Sequence, residues 1–250
     1  MPTTRRRTPS HAALLLAVAL VAALLGLAPP AGAQAVDRVD AFGSAVDRGS
    51  PAASTTNRVV GIAAHPGGGY WTTTARGEVN SFGAPFHGSL GGTSLARPIV
   101  AMVAMPSGEG YWLIGSDGGV FAFGAAGYHG STGAIRLNQP VVAAAPTRTG
   151  GGYWLVARDG GVFSFGDAVF SGSTGGIRLN QPIVGAAADP ESGGYWLVAA
   201  DGGVFAFGAP FEGSAGGAPL RAPVAAITAE PRGQGYWLAA ADEPANGAPP

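Results

Sequence analysis

Five tryptophans recur along this chain: Trp71, Trp112, Trp154, Trp196 and Trp237, separated by 41, 42, 42 and 41 residues. One tryptophan per period of that length means one supersecondary unit repeated, which narrows the fold to solenoids, propellers and similar arrays. The landmarks between tryptophans keep step as well. From the Ser of each Gly-Ser (Ser89, Ser131, Ser173, Ser214) to the Pro that precedes the next unit's first strand (Pro98, Pro140, Pro182, Pro223) is nine residues, and from that Pro to the next Trp is 14. The two longer gaps each carry one extra residue after a Phe-Gly, in 125–128 and 167–170, where the other units have the shorter 84–86 and 209–211.

The best-kept stretch, Gly194-Tyr-Trp-Leu-Val-Ala-Ala-Asp201-Gly-Gly-Val-Phe-Ala-Phe-Gly208, reads as a β-hairpin. Asp201-Gly202 is a two-residue turn signal of type I′, which requires positive φ at both central residues. That turn pairs Ala200 with Gly203, Val198 with Phe205 and Trp196 with Phe207. Trp196, Val198, Phe205 and Phe207 then share one face, and Tyr195, Leu197, Ala199, Val204 and Ala206 the other. Neither face is polar, so each hairpin is expected to lie between two other sheets.

Around the hairpin, each unit reads as four short strands. A small aliphatic strand (183–188) comes first, the hairpin supplies two more, and a brief one surrounds Phe211-Glu-Gly-Ser214. Four strands in about 42 residues is the content of a propeller blade. The C-terminal copy stops after Tyr236–Asp242, having supplied two strands. Val39-Asp-Ala-Phe42-Gly43 matches the third strand, Val204–Gly208, and runs on to Gly49-Ser50. Joined, these ends complete one unit. The expectation is an all-β, five-bladed β-propeller over residues 36–242, with one blade shared between the ends. An open solenoid would instead show capping repeats with a polar outer face.

The flanks differ from the repeats. Arg5-Arg6-Arg7, an apolar run from Ala12 to Ala28, and Ala33-Gln34-Ala35 follow the order of a secretory signal peptide over residues 1–35. Cleavage is expected after Ala35, with Ala33 as the second choice; an N-terminal membrane anchor is the alternative. The reading implies an extracellular destination with no stable membrane insertion after cleavage. Residues 243–250 form a Pro/Gly-rich tail. Removing 1–35 takes three of 14 basic residues and none of 15 acidic ones, so the mature charge is 11 − 15 = −4. That balance gives no electrostatic footprint for nucleic acid. The chain has no cysteine, so a secreted domain of this kind relies on its core rather than on disulfides.

The motif Gly-Tyr-Trp-Leu-Val-x-x-Asp-Gly-Gly-Val-Phe-x-Phe-Gly, followed by Phe-x-Gly-Ser, resembles tandem repeats of secreted actinobacterial proteins. In that family the repeats occur alone or beside hydrolase or peptidase domains. The resemblance spans nearly all of residues 36–242 and implies an extracellular repeat domain, without an assigned activity. A looser likeness to five-bladed lectins concerns architecture alone.

Candidate binding residues follow from strand direction. If strands alternate up and down, the hairpin turns and the inter-unit linkers emerge at the same end. Asp117, Asp159 and Asp201 would then lie beside Ile135-Arg-Leu-Asn-Gln139 and Ile177-Arg-Leu-Asn-Gln181. With these Asp residues, Arg136, Asn138, Arg178 and Asn180 would meet sugar hydroxyls or a polar peptide. The bland reading is that Asp serves the turn, Arg is solvated and Asn caps a bend before Pro. The tryptophans read as packing rather than as sugar platforms; the neighbouring Tyr hydroxyls are the better contacts. Asp40 and Asn80 replace the Phe of other units, and Thr72–Thr74 replace an aliphatic run, which marks a polar seam or worn repeats.

Chemistry-bearing motifs are scarce. His87 and His129 lack metal-ligand spacing and a third ligand. There is no G-x-S-x-G elbow, H-E-x-x-H or phosphate loop, and no cofactor motif. Asp189 and Glu230 lie at ends of the first strands, near the opposite loops. A non-enzymatic binder of carbohydrate or a cell-surface polymer ranks first. An extracellular protein-interaction scaffold comes second, and a glycosidase- or esterase-like hydrolase at the channel or seam third.

Overall fold

The computed structural model describes Val39, residues 45–52 and residues 57–240. The signal-peptide reading, the strand at 40–43 with Asp40, and the tail at 243–250 lie outside the described residues. What is described is all-β. Fourteen strands form five antiparallel sheets in chain order. The first holds β1 (Val59–Ala64), β2 (Tyr70–Thr74) and β3 (Val79–Phe82); the second β4 (Ile99–Ala104), β5 (Gly110–Gly115) and β6 (Val120–Gly124). The third holds β7 (Val141–Pro146), β8 (Gly152–Ala157) and β9 (Val162–Gly166). The fourth holds β10 (Ile183–Ala188), β11 (Tyr195–Ala199) and β12 (Val204–Phe207), and the last β13 (Val224–Ala229) and β14 (Tyr236–Ala240).

The hairpin register differs from the expectation by one residue. Val198 pairs with Val204, Leu197 with Phe205, Trp196 with Ala206 and Tyr195 with Phe207. The loop is three residues long, not two. Gly202 N–H donates to the Ala199 carbonyl at 2.9 Å, and Ala199 N–H to the Gly203 carbonyl at 2.8 Å. Gly202 has φ +80°, while Asp201 stays in the ordinary region. This is a type I turn closed by a glycine bulge rather than a type I′ turn.

That single step re-sorts the faces. Trp196, Val198, Val204 and Ala206 point one way; Tyr195, Leu197, Phe205 and Phe207 point the other. The packing follows. Trp196, Val198 and Val204 cluster with Val224 and Ile227 of the following unit. Tyr195 and Leu197, with Phe205 and Phe207, cluster with Trp154 and Val156 of the preceding unit. The middle strand of the fourth unit, β11, is buried along its whole length, which explains its unbroken apolar run. The second, third and fourth units are each covered on both faces in this way, as the sequence implies.

Every junction repeats the same contacts. The indole of one unit meets the phenol of the next, with ring centroids 5.3 Å apart for Trp71–Tyr111 and Trp112–Tyr153, 5.2 Å for Trp154–Tyr195 and 5.1 Å for Trp196–Tyr236. Such pairs add about 0.5–1.5 kcal/mol beyond the area they bury. At the turn end, Val141 N–H reaches the Ser116 carbonyl, Ile183 the Arg158 carbonyl and Val224 the Ala200 carbonyl, each at 2.9 Å. The first strands β1, β4, β7, β10 and β13 lie side by side in that order. Close approach there explains their small residues: a Cβ on Gly185 would sit 3.3 Å from the Ile227 backbone nitrogen. Each of these strands also carries a bulge at its second residue.

The expected fourth strand does not form among the described residues; each complete sheet has three strands. Side chains hold the fourth segment instead of a backbone ladder. The indole N–H of Trp71, Trp112, Trp154 and Trp196 donates to the carbonyls of Pro85, Gly127, Val169 and Pro210, at 2.6, 2.7, 2.9 and 2.7 Å. The tyrosine of the next unit then fastens the Gly of Gly-Ser: Tyr111, Tyr153 and Tyr195 donate to Gly88, Gly130 and Gly172 at 2.6, 2.7 and 2.6 Å.

Candidate functional site

Turns and linkers do share one end of the array. Past each Gly-Ser, the chain returns across its own unit's hairpin turn. The Thr132 hydroxyl donates to the Asp117 carbonyl at 3.1 Å, and the Thr174 hydroxyl to the Asp159 carbonyl at 3.3 Å. Both threonines are buried, so the turn is pinned from beneath by the start of the linker. A Cβ on Gly118 or Gly160 would overlap those same hydroxyl oxygens. Glycine is therefore required twice over, by its positive φ and by the neighbour under it.

The carboxylates of Asp117, Asp159 and Asp201 have a structural task. In each, Oδ1 accepts the backbone N–H two residues on (Gly119, Gly161, Gly203) at 3.0 Å. This is an Asx turn, which leaves the second carboxylate oxygen uncommitted in a half-buried side chain. The bland reading of these residues accounts for one oxygen of each.

The linkers are more open. Arg136, Asn138, Arg178 and Asn180 are all exposed. One shallow groove of about 380 Å³ brings part of the expected constellation together. Asp159 and Asn180 line it, with Gln181, Arg158, Ile177 and, from the preceding linker, Gln139. Arg136, Asn138 and Arg178 are not among its lining residues. Asp117 and Asp201 occupy the same turn position in neighbouring units without entering this groove. Arg158 was not anticipated from the sequence, because other units have Ser116 or Ala200 there. Gln139 and Gln181 end the same Ile-Arg-Leu-Asn-Gln motif, so their sequence signal was present.

The remaining candidates resolve into structural roles. The tryptophans of the first four units are buried, with their indole N–H groups bonded, as expected for packing. The tyrosine hydroxyls, expected as the better contacts, are spent on the junction bonds. Burial pushes the phenols of Tyr70, Tyr111, Tyr153, Tyr195 and Tyr236 above the ordinary tyrosine value. Of the polar seam, Asp40 lies outside the described residues. Asn80 stands opposite Thr72, whose side chain is wholly buried with an unbonded hydroxyl.

His87 Nε2 lies 3.2 Å from the Gly108 carbonyl, and the His129 ring packs on Tyr153 at 5.8 Å. Among the described residues, no group of three His, Asp or Glu side chains converges as metal ligands. Asp189 accepts the backbone N–H groups of Glu191 and Ser192, and Glu230 those of Arg232 and Gln234, so each closes its own loop. At that opposite end, Thr149 and Thr147 donate to the Asp167 carboxylate and hold it below the usual carboxylate range.

No protein-family model matches the chain, and no curated protein matches it either.

Proposed function

We propose that the chain is a secreted, non-enzymatic repeat domain that binds carbohydrate or a cell-surface polymer through the turn-and-linker end of a five-bladed propeller. The groove joining Asp159, Asn180, Gln181 and Gln139 carries this reading. It is open, sets these polar groups beside the apolar Ile177, Leu179 and Pro182, and draws mostly on motif residues that recur one unit earlier, so weak sites can add through multivalency. The test is a glycan array and a cell-wall pull-down with the wild type and a quadruple linker variant of the groove, Gln139→Ala, Asp159→Asn, Asn180→Ala, Gln181→Ala. Retention by the wild type and its loss in the variant is the expected result. A wild type that binds nothing at high micromolar concentration sinks the reading.

Ring closure rests on the N-terminal segment. Val39 N–H donates to Ser50 Oγ at 2.9 Å, as Val204 N–H does to Ser214 Oγ at 3.2 Å. The Tyr70 hydroxyl donates to the Gly49 carbonyl, as Tyr195 does to Gly172. Gly49 and Ser50 thus make the contacts that Gly172 of the third unit and Ser214 of the fourth make in the later part of their units. The last sheet has two strands among the described residues, and the five-bladed reading completes it on the sequence match between 39–43 and the third strand of the other units. Truncation before Tyr236 should then abolish cooperative unfolding; an undiminished unfolding midpoint would exclude closure.

The protein-scaffold alternative has one observation of its own: Ile135 and Ile177 are strongly exposed on the same linkers. It predicts an extracellular protein cross-linked to this end whose capture survives loss of Arg136 or Arg178 alone. For a hydrolase at the channel, Asp189 and Glu230 are each already engaged in closing their own loops.

A further inference from the structure

Four large side chains stand out because they are apolar, exposed and equivalent. Phe86, Tyr128, Phe170 and Phe211 follow the third strand of their units and are 57–62% exposed. Single exposed hydrophobics need no explanation. These four differ in that the backbone around each is fastened on both sides. The carbonyl just before the ring accepts a tryptophan indole N–H. The residue just after the ring begins a clamp by the next unit's tyrosine. Tyr195, for example, receives the Ser171 N–H at 3.2 Å and donates to the Gly172 carbonyl. Each ring is therefore held outward on a fixed backbone, which lowers the ordering cost of a ligand that packs on it.

The neighbouring positions are free to vary, and do. The residue before the ring is Pro, Gly, Val or Pro; the residue after it is His, His, Ser or Glu; and two of the four segments carry an insertion. An aromatic ring persists through all of this while contributing little to the core. We infer that Phe86, Tyr128, Phe170 and Phe211 are stacking platforms for pyranose rings of an extended, neutral polysaccharide.

The ligand class follows from the surroundings. The C–H face of a pyranose is flat, apolar and faintly positive, which suits the negative face of an aromatic ring. A protein partner would favour a contiguous apolar patch. Here the rings recur in four units, with Asp47 standing at the matching place before Gly49-Ser50. They have Gly, Ser, His or Glu within two residues, and the strongly exposed, apolar Val169 lies beside Phe170. A polymer of like sugars can meet such repeated rings with separate residues, and the weak contacts then add. No Arg adjoins any of the four in sequence and Glu212 adjoins Phe211, which disfavours an anionic polymer. The inference rests on the glycan-binding reading above and places binding on a different part of each unit from the turn-and-linker groove.

The test is affinity electrophoresis in gels containing a soluble neutral β-glucan or a soluble mannan. Three proteins are compared: the wild type, the linker variant described above, and a variant with Phe86→Ser, Tyr128→Ser, Phe170→Ser and Phe211→Ser. The expected result is retardation of the wild type and at least a tenfold weaker apparent affinity in the aromatic variant, by loss of additive contacts. Its thermal midpoint should stay at the wild-type value, because the deleted rings are exposed. Undiminished retardation of the aromatic variant, with loss in the linker variant, overturns this inference and leaves the turn-and-linker reading standing. Failure of the wild type to respond to either polymer overturns the inference directly. So does a wild-type dimer that the aromatic variant converts to monomer, since a second copy would then be what covers the rings.

Discussion

The Tyr195 hydroxyl crosses from the fourth sheet to the Gly172 carbonyl of the third unit, 2.6 Å away, and receives the Ser171 N–H on its other side. One phenol thus fastens a segment that forms no strand of its own. Tyr195→Phe keeps the ring and removes both bonds. Leaving the partly buried Gly172 carbonyl unpaired should cost about 1–3 kcal/mol. Urea unfolding of the variant, with an unchanged m-value, measures it.

The same contact sets the alkaline limit. Burial holds the five junction phenols above their ordinary value of about 10. A group whose folded pKa is raised gives its full stability below the unfolded pKa and loses it as pH climbs through the folded one. Stability should therefore fall above about pH 10. Phenolate absorbance from these five should rise together with the loss of tertiary structure, not before it.

Ser164 lies opposite Trp154, and its hydroxyl is buried without a partner. The equivalent residues facing Trp112 and Trp196 are Ala122 and Ala206. Ser164→Ala should raise stability by about 1 kcal/mol, since an unpaired buried hydroxyl is removed without changing the packing. A lowered denaturation midpoint would show that the hydroxyl is bonded after all.

Gly160 and Gly202 separate backbone strain from collision. Both have positive φ, but a side chain at Gly160 would strike the buried Thr174, whereas one at Gly202 meets Ala215. The left-handed backbone alone costs a non-glycine residue roughly 1–2 kcal/mol. Gly160→Ala should cost more than Gly202→Ala, and Thr174→Ala in the same chain should narrow the gap. Thermal unfolding of the four proteins decides it.

Asp159 offers a way to part the turn from the ligand. Asp159→Asn retains an Oδ1 acceptor for the Gly161 N–H, whereas Asp159→Ala removes it. Both should weaken polymer binding if the carboxylate charge contacts ligand, but only the alanine variant should lose stability, by about 1 kcal/mol. Equal binding by the asparagine variant and the wild type would confine Asp159 to its turn.

The repeat, the hairpin and the packing role of the tryptophans were legible in the sequence, because periodic landmarks and two apolar faces leave few alternatives. The register was not. Asp201-Gly202 has the composition of a two-residue loop, but Ala200 is needed as a bridge. Its N–H goes to Pro182 and its carbonyl receives Val224 from the next unit, which only the longer loop permits. The fourth strand misled for a related reason. Around Phe211–Ser214 the residues suit a strand, yet side chains from two units hold the segment. Of the candidate site, the shared end of turns and linkers followed from strand alternation. The meeting of Gln139 with Asn180 across two linkers did not, since it depends on how the units are rotated. The outward position of Phe86, Tyr128, Phe170 and Phe211 was not legible either, because the segment that carries them reads as a fourth strand and a strand's sequence does not say which side chains face water.

The Trp–Tyr contact at each junction draws its two rings from different units. A unit cut out at its own boundaries would carry the indole of one joint and the phenol of another, each facing water. The smallest fragment with a finished joint is therefore a pair. Growth or loss of such a chain by whole periods can preserve every joint in the row, whereas a cut half a period out of phase divides a hairpin and wastes two.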